Sequence, residues 1–404
     1  MKTAIYTLTS PLHDPMDIGA STRAFLEELN VEYDFKGEDF SDYGTSPLSI
    51  IFVRTGGTEG IFRSLLPRTQ ALRQEKVYLL ASGKHNSLAA SMEILSFLRS
   101  HGGEGEILHG SASHLRDRIT MLAKVAEARV ALRNCRLGII GQPSDWLISS
   151  DVDRDALRQR MGVQLVDVDM EELMEAIAHS PEDRPSFQTS NPQVMQAVPG
   201  AWKIYHALRD IVGKYRLQGL TIRCFDLLSK VHNTGCLALA QLNTEGVVAG
   251  CEGDVPAMIS MAVAKTLTGN MGFQANPSSI DPDQGEMVFA HCTIPFSMVD
   301  RYELDTHFES GIGVGIRGFV ASGPVTIFKV AGDLSRHFAQ EATLMCCGNA
   351  SGLCRTQFQM RFDDARMTSY FLTNPIGNHH IILKGRHKAL LDEMMAGVKS
   401  FFQV

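Results

Sequence analysis

The chain has 404 residues, enough for two or three domains of ordinary size. Apolar residues make up 44% and charged residues 21%, a globular balance that excludes a disordered chain or a fibrous repeat. With 38 basic against 45 acidic side chains the net charge is −7, and no long basic run appears, which argues against a nucleic-acid or anionic-membrane partner.

The first residues, MKTAIYTLTSPLHDP, offer one lysine and a short apolar stretch broken by threonines and Ser10 before Asp14. That is not the plan of a signal peptide, so a cytoplasmic protein is expected. No window approaches the roughly 18 to 20 consecutive apolar residues of a membrane span, so a soluble protein is expected. KTAIYTL then predicts a strand, STRAFLEELN a helix, LSIIFVRTGGTEG a strand entering a glycine-rich turn, KVYLLAS a strand and NSLAASMEILSFLRSHG a helix. Alternating strand and helix imply a parallel sheet with helices packed on it, and HLRDRITMLAKVAEARVAL closes this first α/β domain, expected over residues 1–134.

At RLGIIGQPSDW the pattern restarts: a strand, a Gly141 and Pro143 turn, the helical DVDRDALRQRMG, the strand VQLVDV and the helical MEELMEAIA. PEDRPSFQTSNPQ reads as a surface loop before the helical VMQAVPGAWKIYHALRDIVGKY. GLTIRCFDLL and VVAGCE supply later strands and DVPAMISMAVAKTLTG a helix, giving a second α/β domain over residues 135–269. Beyond it, EMVFAHCTI, GPVTIFKVAG, ATLMCCGNA and RTQFQMRF are short β-type runs separated by Gly, Pro and Asp. They predict a mainly antiparallel β domain over residues 270–404, closed by the amphipathic helix RHKALLDEMMAGVKSFF. The expected fold class is α/β, with two doubly wound Rossmann-like domains followed by a β-rich C-terminal domain.

Chemistry concentrates in VVAGCEGDVPAM, residues 247 to 258. Glu252 ends a buried strand at the start of a helix, the place where parallel sheets put ligands. Asp254 precedes that helix with Pro256 in its first turn, so its carboxylate is suited to capping backbone N–H groups; it is also carried as a candidate substrate contact. In EMVFAHCTIP, alternation puts Met287, Phe289 and His291 on one face, which fits either a core histidine or a site histidine. In LTNPIGNHHIIL, the adjacent His379 and His380 point to opposite faces, so at most one enters a given site. Carboxylate oxygen with imidazole nitrogen suits manganese, iron or zinc better than calcium.

Eight cysteines stand in mostly apolar segments without a C-x-x-C pair, and reduced buried thiols are expected rather than a zinc site. GVGIRG, residues 313 to 318, fits G-x-G-x-x-G by the letter, but a strand and not a helix is predicted after it, so it reads as a glycine-rich loop near the site with His307 upstream as a substrate contact. VRTGGTEG reads as a strand-to-helix turn.

These segments resemble the ketol isomerases that act on L-fucose and L-arabinose. The likeness runs from about Leu137 onward and is strongest from Gly235 to Phe319. CEGDVPAMISMAVAKTLTGN is similar to the family's E-x-D segment and following helix, which implies Glu252 as first metal ligand. AHCTIP implies His291 as a further ligand, LDTHFESGIGVGIRG resembles the histidine and glycine loop containing His307, and GNHHIIL implies a last ligand at His380 on the arabinose pattern or His379 on the fucose pattern. One departure matters: where the family carries a second acidic ligand, the alignment places Asn276, which is carried as the corresponding metal and catalytic position. An amide oxygen can coordinate but cannot serve as a base at neutral pH; Asp281, Asp283 or Glu286 would otherwise have to reach in.

The resemblance implies a divalent metal, Mn2+ first, chelating an open-chain monosaccharide, with Glu252 moving the proton between C1 and C2. It also implies a homo-oligomer, trimer or hexamer. The competing reading is a non-catalytic sugar-binding or regulatory protein on the same fold, kept open by Asn276.

Overall fold

The computed structural model describes residues 2–399 apart from 184 and 188. The chain divides into two compact units, one running to Val130 and one from Ala131 to Lys399.

In the N-terminal unit five parallel strands, β1 (Thr3–Leu8), β2 (Tyr33–Gly37), β3 (Ser49–Val53), β4 (Val77–Ala81) and β5 (Gly105–Leu108), form a sheet in the order β2-β1-β3-β4-β5. Alternate residues feed two separate cores. Tyr6, Ile51, Val53 and Leu79 pack on one face with Ile94 and Leu98, while Ile5, Ile50, Phe52 and Leu80 pack on the other with Leu26, Leu115 and Ile119. Both faces are therefore covered by helices, which is why these strands read as continuous apolar runs.

The second unit opens with a four-stranded parallel sheet, β6 (Arg136–Ile140), β7 (Gln164–Val168), β8 (Gly219–Ile222) and β9 (Val248–Gly250), in the order β7-β6-β8-β9. Strand order reverses between β6 and β8, so the crevice at their carboxyl ends is where such a sheet holds ligands. The chain then runs through the helix Val255–Thr268 into β10 (Phe273–Asp281), β11 (Glu286–His291), β12 (Arg301–Asp305), β13 (Gly315–Phe319), β14 (Gly323–Val330), β15 (His337–Cys347), β16 (Thr356–Phe362) and β17 (His380–Lys384). Six of these close into a barrel, β10-β11-β16-β15-β14-β17, every neighbour antiparallel, while β12 and β13 form a separate ribbon. One face of each barrel strand, including Phe273, Met287, Phe289, Ile327, Phe358 and Ile382, builds a single core.

The predicted α/β class with a β-rich C-terminal region thus holds, and closure into a barrel removes the sheet edges. GVGIRG, read as a loop, instead supplies most of β13 with its last four residues, which pair with β12; the next element is the strand β14 and not a helix, as expected. The C-terminal helix spans Lys388–Lys399; the last residues of the predicted segment, SFF, lie outside the described residues.

The helix Val255–Thr268 joins the sheet to the barrel and is buried nearly all round, consistent with its apolar composition. Asp254 caps it, its Oδ1 accepting from Ala257 N at 2.7 Å, with proline in the first turn and Gly269 in a left-handed conformation at the far end. No described helix is long and apolar enough to cross a membrane.

Candidate metal centre

Glu252 lies between β9 and this helix, and its backbone is left-handed at φ 62°. A non-glycine residue in that region is uncommon and strained, and such residues concentrate at functional positions. The next residue, Gly253, is also left-handed at φ 70°, and a Cβ there would lie 2.6 Å from the carbonyl oxygen of Gln142. The loop after β6 therefore presses directly on the turn. It also holds the turn from outside: Ser144 N donates to the Glu252 carbonyl at 2.9 Å, and Trp146 Nε1 donates to Glu252 Oε2 at 2.7 Å. Arg223 secures that loop through Asp145 at 2.8 Å and the Pro143 carbonyl at 2.8 Å.

With Oε2 fixed by Trp146, Oε1 faces two imidazoles. His291 Nε2 lies 3.7 Å away and His379 Nε2 3.4 Å away. His291 ends β11 with the parity of Met287 and Phe289, and its Nδ1 contacts Thr293 Oγ1 at 3.1 Å. His379 immediately precedes β17 and is completely buried. Its Nδ1 meets Asp254 Oδ2 at 2.9 Å, yet its Nε2 has no hydrogen-bond partner. Asp254 also faces Lys329 on β14, whose ammonium stands 3.3 Å from both carboxylate oxygens with both side chains buried.

Electrostatics follow from this packing. Burial alone would raise the Glu252 carboxyl, but His291 and His379 outweigh it and hold it far below the usual carboxylate range. The same competition, with Lys329 and His379 against burial, keeps Asp254 ionised. Burial opposes charge on His379, yet Asp254 and Glu252 push it up to about 9. His291 goes the other way, with burial stronger than the help from Glu252.

Three ligand-type atoms, one each from Glu252, His291 and His379, lie within 4.8 Å of one another, and they form the one such trio among the described residues. Donors sharing a tetrahedral ion at about 2.1 Å stand about 3.4 Å apart, close to the two separations from Glu252 Oε1. A buried imidazole nitrogen without a hydrogen-bond partner, 3.4 Å from one carboxylate oxygen and with its ring held from behind by a second carboxylate, has the arrangement of a metal-ligating histidine. The donor set fits a divalent cation of the manganese, iron or zinc kind.

The other sequence candidates fall differently. His380 is buried away from the trio, its Nε2 meeting Tyr370 Oη at 3.0 Å and its Nδ1 the Asn378 carbonyl at 3.0 Å, among Phe289, Phe338 and Phe371. Asn276 and His307 line the same cavity as Glu252 and His291. Asn276 Oδ1 accepts from Asn378 Nδ2 at 3.1 Å, while His307 packs edge-on against Phe225 and contacts Ser310 Oγ through Nδ1. Asp254 is completely buried behind His379 and does not line the cavity. Of the loop carboxylates, Glu286 is held by Arg361 and Gln359, Asp281 accepts from the backbone N–H groups of Asp283 and Gln284, and Asp283 is exposed. The glycine loop sits close by, since Thr234, another cavity residue, exchanges hydrogen bonds with Val314.

Sequence reasoning missed Trp146 and Lys329. A lysine inside the apolar strand GPVTIFKVAG was the signal for the second; nothing in the sequence marked the first. The N-terminal unit has a roomier cavity, walled by Phe40, Tyr43 and Arg68 among others, but no such trio of ligands lies there among the described residues.

No family model matches the chain. It is similar to the sulfoquinovose isomerase of Alkalicoccus urumqiensis, 23% identical over 261 residues that cover 61% of this chain and 59% of that protein. The sulfoquinovose isomerase of Priestia aryabhattai is 24% identical over 262 residues, again 61% of this chain and 59% of that protein. That of Clostridium sp. (strain MSTE9) is 25% identical over 222 residues, 52% of this chain and 48% of that protein. The chain therefore spans about three fifths or less of the length of these curated relatives, all of which are named as isomerases of a sugar.

Proposed function

We propose that this chain is a metal-dependent aldose–ketose isomerase acting on an open-chain monosaccharide, of the broad kind to which the sugar isomerase relatives belong and in which the L-fucose and L-arabinose isomerases are included. The observation that carries the reading is the buried trio of Glu252, His291 and His379, with His379 Nε2 left without a partner. These three residues would hold a divalent cation, Mn2+ first, which when bound supplies Lewis-acid polarisation of the sugar carbonyl.

The chain's own residues do the rest. Trp146 fixes one carboxylate oxygen of Glu252. Asp254 accepts a hydrogen bond from His379 Nδ1–H, which leaves Nε2 as the imidazole nitrogen on the side of Glu252. Glu252 is the carboxylate that moves a proton between C1 and C2 of the sugar. Asn276 and His307, on the cavity wall, contact sugar hydroxyls, and Phe225 and Leu228 shield the reacting carbons from water. A cytoplasmic homo-oligomer, trimer or hexamer, belongs to this proposal.

A second reading, a sugar-binding protein without catalysis, is favoured by one observation: Asn276 places an amide on the cavity wall where the resembled family has a carboxylate. One experiment separates them. Thermal stability is measured with and without MnCl2, and deuterium exchange at C2 is followed for sulfoquinovose, L-fucose and L-arabinose. A manganese-dependent shift with exchange on any of these sugars supports the isomerase. A manganese shift without exchange on any of them favours the binding protein, and no manganese response removes the metal-dependent isomerase.

A further inference from the structure

Two buried thiols beside the trio play no part in the proposed reaction. Cys224 follows β8 and Cys251 follows β9; the two strands are neighbours, with Thr221 opposite Gly250. Their sulfur atoms stand 3.1 Å apart. Both side chains are buried from bulk solvent, but both line the cavity that contains Glu252 and His291, so a small solute that enters the cavity reaches them. Cys251 is joined directly to Glu252. Cys236, Cys292 and Cys354 line the same cavity.

We infer that Cys224 and Cys251 form an oxidisable dithiol, a modification site for hydrogen peroxide, whose closure to a disulfide disables the neighbouring metal centre. The inference rests on the proposed metal reading for its consequence, though not for the bond itself. The chemistry balances with peroxide as the two-electron oxidant. One thiol attacks a peroxide oxygen, giving a sulfenic acid and one water; the second thiol displaces the hydroxyl as another water and the S–S bond forms. Two thiols lose two electrons and two protons, and peroxide becomes two waters.

Geometry couples the bond to the site. A disulfide is about 2.0 Å long, so the two sulfurs must close by roughly 1 Å. The surroundings resist an even adjustment. Cys251 N donates to Gln274 Oε1 at 2.9 Å, and the Cys251 carbonyl accepts from Gln274 Nε2 at 3.3 Å. On the other side, Glu252 and Gly253 are left-handed, and Gly253 abuts Gln142 and Pro143. A turn fixed at both ends takes up the displacement at the residue between them, which is Glu252. Ligand constellations tolerate displacements of only about 0.5 Å.

The test treats the reduced full-length protein with hydrogen peroxide, maps peptides without reduction, and measures the Mn2+-dependent thermal shift before and after. A Cys224–Cys251 linked peptide is expected, with apparent Mn2+ affinity falling about tenfold or more and recovering with dithiothreitol. The Cys224→Ser and Cys224→Ala proteins should show the same Mn2+ response before and after peroxide. Failure to form the link, links among Cys236, Cys292 and Cys354 in its place, or a link that leaves the Mn2+ response intact would each overturn the inference. If the reduced wild-type protein shows no Mn2+ response, the metal reading and the proposed disabling effect both fall, and the peptide map still decides for or against the dithiol.

Discussion

His379 Nδ1 lies 2.9 Å from Asp254 Oδ2, and both side chains are buried. This contact converts a helix cap into part of the site. The carboxylate caps the helix Val255–Thr268 through Oδ1, fixes the tautomer of His379 through Oδ2, and neutralises the ammonium of Lys329. Charges cluster here because each answers another: a buried lysine requires a carboxylate, and that carboxylate orients the imidazole.

Asp254→Asn keeps a competent helix cap but leaves the Lys329 ammonium buried without a counter-charge. Breaking such a pair costs about 3 to 5 kcal/mol. The expected result is that loss in urea unfolding at neutral pH, together with a Mn2+ affinity about 10 to 100-fold weaker, because His379 is no longer oriented. The double variant Asp254→Asn, Lys329→Met should regain part of the stability and none of the affinity. Additive losses in the double variant would contradict the coupling.

Glu252→Gln tests the trio itself. The amide preserves size and can still accept from Trp146, but it removes the anionic oxygen that a divalent cation prefers. The Mn2+-dependent thermal shift should vanish, and with it any C2 exchange. Chelation of wild-type protein with EDTA should reproduce the variant's melting temperature, since a ligand that binds only the folded state stabilises it by mass action. A full manganese response in Glu252→Gln would place the metal elsewhere.

His379 and His380 supply the sharpest contrast between neighbours. His379→Gln should abolish the manganese response. His380→Phe should leave it intact while costing about 1 to 3 kcal/mol of stability, because the Tyr370 hydroxyl and the Asn378 carbonyl lose their shared partner. Denaturation and metal titration of the two proteins side by side would decide this. Equal loss of metal response in both would show that His380 also serves the site.

How much of this was legible in the sequence depends on the range of the interaction. Continuous apolar runs alternating with helical segments located β1, β3 and β4 of the first parallel sheet and all of the second, and Gly, Pro and Asp punctuation located β11, β14, β15 and β16 of the barrel, because both signals are local; β2, β5 and β10 carry no such run. The Glu252 turn was legible for the same reason. The parity of adjacent histidines implies that at most one enters a given site, but which one faces Glu252 depends on pairing β17 with β10 and β14, set by contacts about a hundred and about fifty residues away. Trp146 and Lys329 reach the turn from 106 and 75 residues away in the chain. Lys329 was at least visible as a cation in an apolar strand, which demands a buried partner; Trp146 stands in an ordinary loop sequence and carries no such mark.

Gly253 sets the backbone that carries Glu252. At Gly253→Ala the new Cβ would lie 2.6 Å from the Gln142 carbonyl oxygen and 2.8 Å from Pro143 Cα, both backbone atoms, and φ is +70°. Gly269, at φ +78°, is a matched control with open space around the added methyl group. Gly269→Ala should show the conformational penalty alone, on the order of 1 kcal/mol. Gly253→Ala should cost more, at least about 1 to 3 kcal/mol, because the loop after β6 must also move. That loop carries Trp146 and Ser144, the two residues that grip Glu252 from outside, so the same substitution should weaken the manganese response while Gly269→Ala leaves it unchanged. Unfolding measured by urea and metal response measured by thermal shift give independent readouts. If Gly253→Ala loses stability yet keeps the full metal response, the loop does not aim Glu252; if both variants lose equal stability, the close approach to Gln142 is not what demands glycine at this turn.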